Sequence, residues 1–248
     1  MHPKVSVIIA TYNRYDSLLV AIESVKNQTY HNIELIVVND ASTDPRYYSL
    51  EEDGFKLVHL DQNSKELFGY PCAGYVRRIG IEHSTGDYIA ILDDDDYFFN
   101  DKIKLQILLM LDGNLQMCSS NSLTGGGIYS SKKKYMLHHE GFNALFCDSF
   151  FKKYATLFSD KLPAVFDFEL ISKHNFILNS SIVFHRALYY LAGGYQNVPN
   201  GEEDHQLWLE MLKHTTCSYL KTPLFYYDGR INESLFHKIV MGLKSRLN

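Results

Sequence analysis

Short apolar runs alternate with segments of helical period along the first 112 residues. Residues 5–10 (Val-Ser-Val-Ile-Ile-Ala) form a β-branched run that predicts a largely buried strand. It ends in the polar loop Thr11-Tyr12-Asn13-Arg14. Asp16 is the expected N-cap of an amphipathic helix over 17–27, with Leu18, Leu19, Ile22 and Val25 on its apolar face. Residues 33–38 predict a second buried strand, closed by Asn39-Asp40-Ala41-Ser42-Thr43-Asp44-Pro45. Pro45 suits a first helical turn, with Thr43 or Asp44 as its cap. A weaker strand is expected at 56–60 and a helix at 73–83 with Arg77 and Arg78 in its middle. Ser84-Thr85-Gly86-Asp87 then breaks the chain ahead of a fourth strand at 88–92. The order β-α-β-α-β-α-β predicts an α/β fold with a mostly parallel sheet and helices on both faces.

The pattern loosens afterwards. A helix capped by Asn100 is expected over 101–111, with Ile103, Ile107, Leu108 and Leu111 inward. A strand follows at 116–122, then a flexible Gly125-Gly126-Gly127 turn. Residues 128–175 are aromatic-rich and weakly periodic, with 143–154 a candidate helix. They read as an elaboration on the sheet. A returning strand is expected at 177–184, a short helix at 187–191, a clear helix at 203–213 and a short strand at 224–227. The amphipathic tail at 233–247 carries Lys238, Lys244 and Arg246. It suits either docking on its own domain or peripheral contact with an anionic membrane. The chain is thus read as one domain with two halves, 1–112 and 113–248.

Bulk composition narrows the function classes. The chain has 248 residues and a net charge of −5, and Lys132-Lys133-Lys134 is its basic triplet, so nucleic-acid binding is not expected. The four cysteines (Cys72, Cys118, Cys147, Cys217) are widely spaced, which argues against a disulfide framework or a zinc knuckle and for a reducing compartment. The N-terminus lacks the apolar core of a signal peptide, and no stretch reaches membrane-spanning length. A cytoplasmic location follows as the expectation, with the inner membrane face open to the tail.

The chemistry concentrates at strand ends. The strand at 88–92 runs directly into Asp93-Asp94-Asp95-Asp96. A solvated acidic turn is the plain reading of such a run. Four adjacent carboxylates beside an apolar core also call for a cation, and a hard divalent metal with oxygen ligands suits them. Thr11 to Arg14 and Asp40 likewise sit just past strand C-termini, the edge where open α/β sheets bind ligands.

In this order, residues 5–14 resemble the opening of family 2 glycosyltransferases of the GT-A fold. Residues 37–44 are similar to that family's second block, with Ala41 where Gly is usual. Arg77, Gly80-Ile81 and residues 86–90 match the third block, with Arg78 in place of the usual Asn. Residues 92–96 fill the DXD block. Gly193-Gly194-Tyr195 and residues 203–209 resemble the acceptor-side block, with Glu210 replacing a customary Arg. Residues 113–176 carry no matching motif.

The resemblance implies a nucleotide-diphosphate sugar donor, most simply a UDP-sugar, and inverting transfer to a glycan or lipid-linked glycan. It also implies Mn2+ or Mg2+. By the same resemblance Asp95 is the metal ligand and Asp93 reaches the ribose or a metal-bound water. Asp96 is a supporting or acceptor-side group. Asp94, pointing to the other face of an extended chain, is structural or exposed. Thr11, Tyr12, Arg14 and Asp40 are assigned to the nucleotide. Arg77 contacts the diphosphate, or holds Asp40 or Asp93. Inverting transfer needs a base, and Asp204 is chosen ahead of Glu203, whose plain role is to compensate the helix dipole. Arg230 stands near where the family often carries a His; it can bind diphosphate but cannot ligate a metal, and His237 is a weaker substitute. Three alternatives stay open: a nucleotidyltransferase, disfavoured by the lack of glycines after the first strand; a non-catalytic nucleotide-sugar or carbohydrate-binding module; and a calcium-binding structural domain, which would bind metal without a nucleotide.

Overall fold

The computed structural model describes residues 2–138, 162–199 and 201–230. Four strands form its parallel half: β1 (Val5–Thr11), β2 (Ile33–Asn39), β3 (Lys56–His59) and β4 (Tyr88–Asp93). They lie in the order β3-β2-β1-β4 and pair in parallel throughout. The chain therefore winds outward from β1 and returns to its other side. Thr11 and Asp93 lie at the point of reversal, the crevice that ligands occupy in such sheets.

The helices α1 (Tyr15–Lys26), α2 (Ser64–Phe68), α3 (Ala73–Glu82) and α4 (Lys102–Asp112) connect or flank these strands. Alternation along β1 explains the two layers. Val5, Val7 and Ile9 pack with Leu18 and Ile22 of α1 and with Ile103 and Ile107 of α4. Ile8 points the other way, toward Val76 and Ile81 of α3. A strand buried on both faces has no polar alternation to show, which is why residues 5–10 read as one apolar run. A Cβ on Gly80 would collide with the Ile8 side chain, so its absence lets α3 lie close on the sheet.

The second half is mixed, not parallel. The two-residue β5 (Tyr97–Phe98) leads into β6 (Met117–Gly125), with β7 (Met136–Leu137) and β8 (Val165–Phe166) as short edges. After α5 (Phe168–Lys173) and a 3-10 turn (Asn179–Ser181) come β9 (Val183–His185), α6 (Arg186–Leu191), α7 (Glu203–Leu212) and β10 (Cys217–Asp228). β9 runs antiparallel to both β4 and β6, and β10 lies parallel to β6. β5 pairs antiparallel with β10.

Several expected elements change. The strand foreseen at 177–184 shrinks to Val183–His185, because Asn179–Ser181 turns as a 3-10 helix. The short strand at 224–227 grows to Cys217–Asp228; Lys221, Thr222 and Pro223 interrupt its apolar run, and the pairing with β6 shifts register at Pro223. The cap of α1 falls on Arg14, and Asp16 sits in the first turn instead, paired with Arg46 at 2.9 Å. The cap of α4 moves from Asn100 to Asp101. Leu19, Leu108 and Leu111 are exposed, since the buried stripe of α4 runs through Lys102, Ile103, Gln106, Ile107 and Met110. Asp44 caps the turn begun by Pro45, as expected. Cys72, Cys118 and Cys217 are buried free thiols. Cys147, the helix at 143–154, His237 and the tail at 233–247 lie outside the described residues. Among the described residues no helix is long and apolar enough to cross a membrane.

Candidate active site

Thr11, Tyr12, Arg14, Asp40, Arg77, Asp93, Asp94 and Asp95 all line one cavity of about 570 Å³. Strand geometry alone brings most of them there. β1 delivers Thr11, β2 leads into Asp40, and β4 ends on Asp93. Tyr227, Asp228 and Arg230 close the cavity from the end of β10.

The loops after β1 and β2 are knitted together. Tyr47 Oη shares a hydrogen bond with Thr11 Oγ1 at 2.9 Å and accepts from the Arg14 amide at 2.8 Å. Asn13 Oδ1 accepts from the Thr43 amide at 2.9 Å. Ala41 adopts a left-handed backbone, φ +51°, where glycine would be unstrained. Asp40 is buried. Its Oδ1 accepts the Ser64 amide and its Oδ2 the Ser64 hydroxyl, each at 2.7 Å. Burial pushes its pKa up, and the Ser64 donors oppose that. Asn63 and Ser64 were missed by sequence reasoning, although Asn63, whose side chain accepts from the Lys65 amide, is a readable helix cap.

The four aspartates have four different environments. Asp93 Oδ1 takes the Arg77 Nη2 at 2.6 Å. Asp94 is buried, not exposed, and is paired with Arg14 Nη1 at 2.9 Å. The same Arg14 nitrogen reaches Asp95 Oδ2 at 2.7 Å. Asp96 is buried, and its Oδ1 accepts the Asp228 amide at 2.9 Å. Its Oδ2 has no donor at hydrogen-bond distance among the described residues, although the Ser180 hydroxyl lies close enough to favour the ionised form. Burial, with Asp93 and Asp95 nearby, pushes the Asp96 carboxyl well up. Burial likewise raises Asp95 to about 6: Arg14 opposes the shift, and Asp93, Asp94 and Asp228 add to it.

One arginine thus faces Asp94 and Asp95 together, and the surplus of negative charge fits a cation. Among the described residues no three His, Cys, Asp or Glu side chains form a metal cage. Mg2+ or Mn2+ binding with phosphate oxygens and water needs only one or two carboxylates, and Asp95 with Asp93 fits that requirement.

Arg77 does not hold Asp40. It is buried, and it reaches Asp93 with one nitrogen and Glu203 Oε1 with the other at 3.2 Å. Burial disfavours its charge, but Asp93, Tyr195 and Glu203 outweigh that and raise its pKa. Glu203 and Asp204 open α7 and do not line the cavity; Glu203 is buried against Arg77, and Asp204 is half-buried beside it in the chain. Asp204 Oδ1 accepts the His205 amide at 2.6 Å. Burial raises Asp204 to about 6 against the pull of Arg77.

An open α/β sheet with a carboxylate-rich crevice at its switch point is the architecture of the GT-A glycosyltransferases. A solved structure of Staphylococcus aureus TarS in complex with UDP-GlcNAc superposes with a TM-score of 0.65 at 18% identity, covering 94% of this chain and 60% of that one. The mannosyltransferase PcManGT of Pyrobaculum calidifontis, in complex with GDP-Man and Mn2+, gives 0.61 at 16% identity, covering 92% and 57%. Residues 6–166 match the profile of glycosyl transferase family 2, and the chain belongs to that family. It is 31% identical over 138 residues to the Escherichia coli UDP-Glc:alpha-D-GlcNAc-diphosphoundecaprenol beta-1,3-glucosyltransferase WfgD, a match covering 53% of each chain. The chain spans 16% of the length of another matched glycosyltransferase.

Proposed function

We propose that this chain transfers a sugar from a UDP-type donor to a hydroxyl of a glycan or lipid-linked glycan, with inversion at the anomeric carbon. The observation that carries the reading is the convergence of Thr11, Asp40, Arg77, Asp93 and Asp95 on one cavity at the switch point of the sheet. Thr11 and Asp40 serve the base and ribose. Asp95, with Asp93, would hold Mg2+ or Mn2+, which when bound would supply positive charge beside the donor diphosphate. Arg14, Lys65, Arg77 and Arg230 are cations that border the same space.

Asp204 acts as the base. It takes the proton of the acceptor hydroxyl as that oxygen attacks the anomeric carbon and the bond to the diphosphate breaks. A pKa raised to about 6 leaves it ionised at neutral pH while making it a better proton acceptor than an ordinary aspartate. Holding donor and acceptor in line supplies much of the acceleration. The UDP-sugar bound to TarS and the donor and lipid-diphosphate acceptor in the name of WfgD support the substrate classes.

A thermal-shift panel tests the reading. UDP with Mn2+ is expected to raise the melting temperature, and UDP with EDTA to raise it much less. No shift from UDP, GDP or any other nucleoside diphosphate would sink it.

A further inference from the structure

Two acidic residues open α7, yet the structure treats them differently. Glu203 is gripped at both ends. Its stem lies against bare backbone of α3: a Cβ added at Gly74 would stand 2.7 Å from Glu203 Cγ and 3.0 Å from Glu203 Cβ. Its carboxylate meets Arg77, one turn further along the same face of α3. The second arm of Arg77 holds Asp93 at the end of β4. The side chains of Arg77 and Glu203 are 8% and 9% exposed, so water does little to weaken the link. Arg77 Nε is buried without an acceptor among the described residues, so the two carboxylates are what hold the guanidinium. Behind the contact, α7 is held by buried Leu207, Trp208 and Met211, with Trp208 Nε1 donating to the Ile177 carbonyl at 3.2 Å. A displacement of the first turn would therefore carry Asp204 with it.

We propose that Gly74, Arg77 and Glu203 form a strut that sets the position of Asp204 relative to the donor end of β4, with Glu203 as a positioning residue and not the base. The inference rests on the donor and base roles proposed above. It adds that the two halves of the chain are held in catalytic register by one buried arginine and one missing side chain. Gly74 touches neither cavity nor reacting groups, so it tests the strut from outside the machinery.

The experiment compares Gly74→Ala, Glu203→Gln and Glu203→Ala with the unaltered protein, measuring kcat, its pH profile and the affinity for UDP with Mn2+. Gly74→Ala and Glu203→Ala are expected to lower kcat by about 10- to 100-fold, the scale of a displacement near 1 Å. UDP affinity should stay within roughly three-fold, as these changes leave Thr11, Asp40 and Asp95 untouched. Glu203→Gln, which keeps an acceptor for Arg77, should retain more activity than Glu203→Ala. The acid limb of the pH profile should persist in all three. If Gln and Ala at 203 are equally inactive and the acid limb disappears, Glu203 is the base and the strut is wrong. Unchanged kcat in Gly74→Ala, or UDP affinity falling in step with kcat, would also overturn it. Failure of the donor reading shows separately, as absence of UDP binding by the unaltered protein. The strut is then read from denaturant midpoints, where Glu203→Ala must lessen the cost of Gly74→Ala; strictly additive costs would refute it.

Discussion

The two halves of the molecule solve the problem of placing polar groups in opposite ways. In the parallel half, the strand interiors are mostly apolar on both faces, and β1, β2 and β4 deliver Thr11, Asp40 and Asp93 to the site at or just past their ends. In the second half polarity enters the sheet itself. Ser120 and Ser122 of β6 are buried, and their hydroxyls have no hydrogen-bond partner among the described residues. The seam between the halves is polar too. Lys102 is fully buried, with its Nζ on Gln106 Oε1 at 2.6 Å and 4.2 Å from the centre of the Phe98 ring. Gln106 in turn donates to the carbonyls of Cys118 and Ser181. The lesson is that a site at a strand edge costs the core little, whereas joining a second, mixed sheet leaves polar groups inside.

The sharpest way to break this comparison is at the proposed metal ligand. Asp95→Asn should lower kcat by about 10²- to 10⁴-fold, the scale of losing several kcal/mol of charge stabilisation. It should also abolish the extra thermal shift that Mn2+ gives with UDP. Asp94→Asn, in contrast, removes the charge of a buried carboxylate paired with the exposed Arg14, which keeps Asp95, and should show mainly as altered stability in denaturant melts.

Next comes the base. Asp204→Asn should cost roughly 10²- to 10⁴-fold in kcat with UDP affinity unchanged. In the proposed role Asp204 works ionised, and burial raises its pKa to about 6. Activity of the unaltered protein should therefore rise as pH passes upward through about 6, and the variant should lose that limb. An acid limb that survives in Asp204→Asn would move the base elsewhere.

The seam offers a stability test. Burial lowers Lys102 to about 7, against about 10.4 for an unfolded lysine. Between those values the unfolded chain binds more protons, so stability should increase from pH 7 towards pH 10. Below about 7 the buried amine is charged on both sides of the equilibrium, and the full cost of burying the charge remains. Lys102→Met should raise stability at pH 7 by on the order of 1–4 kcal/mol and flatten that rise. Urea melts at pH 7 and pH 9 check both.

The smallest expected effect lies within the donor half. Ala41→Gly relieves the left-handed backbone and should stabilise by up to about 1 kcal/mol, the relief being partly offset by the greater freedom of glycine when unfolded. An unchanged or lower denaturation midpoint would show that the loop does not store that strain.

Much of this molecule was legible from its residues. The four apolar runs marked β1 to β4, and their period predicted a parallel sheet. A parallel sheet places all strand C-termini on one edge, so Thr11, Asp40 and Asp93 to Asp95 could be assigned to a common site without knowing a contact. The substitution at Ala41 was visible as a departure, and the φ of +51° supplies its physical meaning. The second half was less legible because β9 has three residues and β10 is interrupted at Lys221-Thr222-Pro223, so periodicity had little length to act on.

By itself the sequence determined which residues stand at strand ends, because burial and period are local properties. Tertiary structure alone decided who holds whom. Arg77 chose Asp93 and Glu203, the latter 126 residues away, and left Asp40 to Ser64. Arg14 took Asp94 and Asp95 together, and Asp96 turned to the backbone of Asp228. Four adjacent, identical side chains became four different groups because ion pairing and desolvation depend on distances of a few ångströms between elements far apart in the chain.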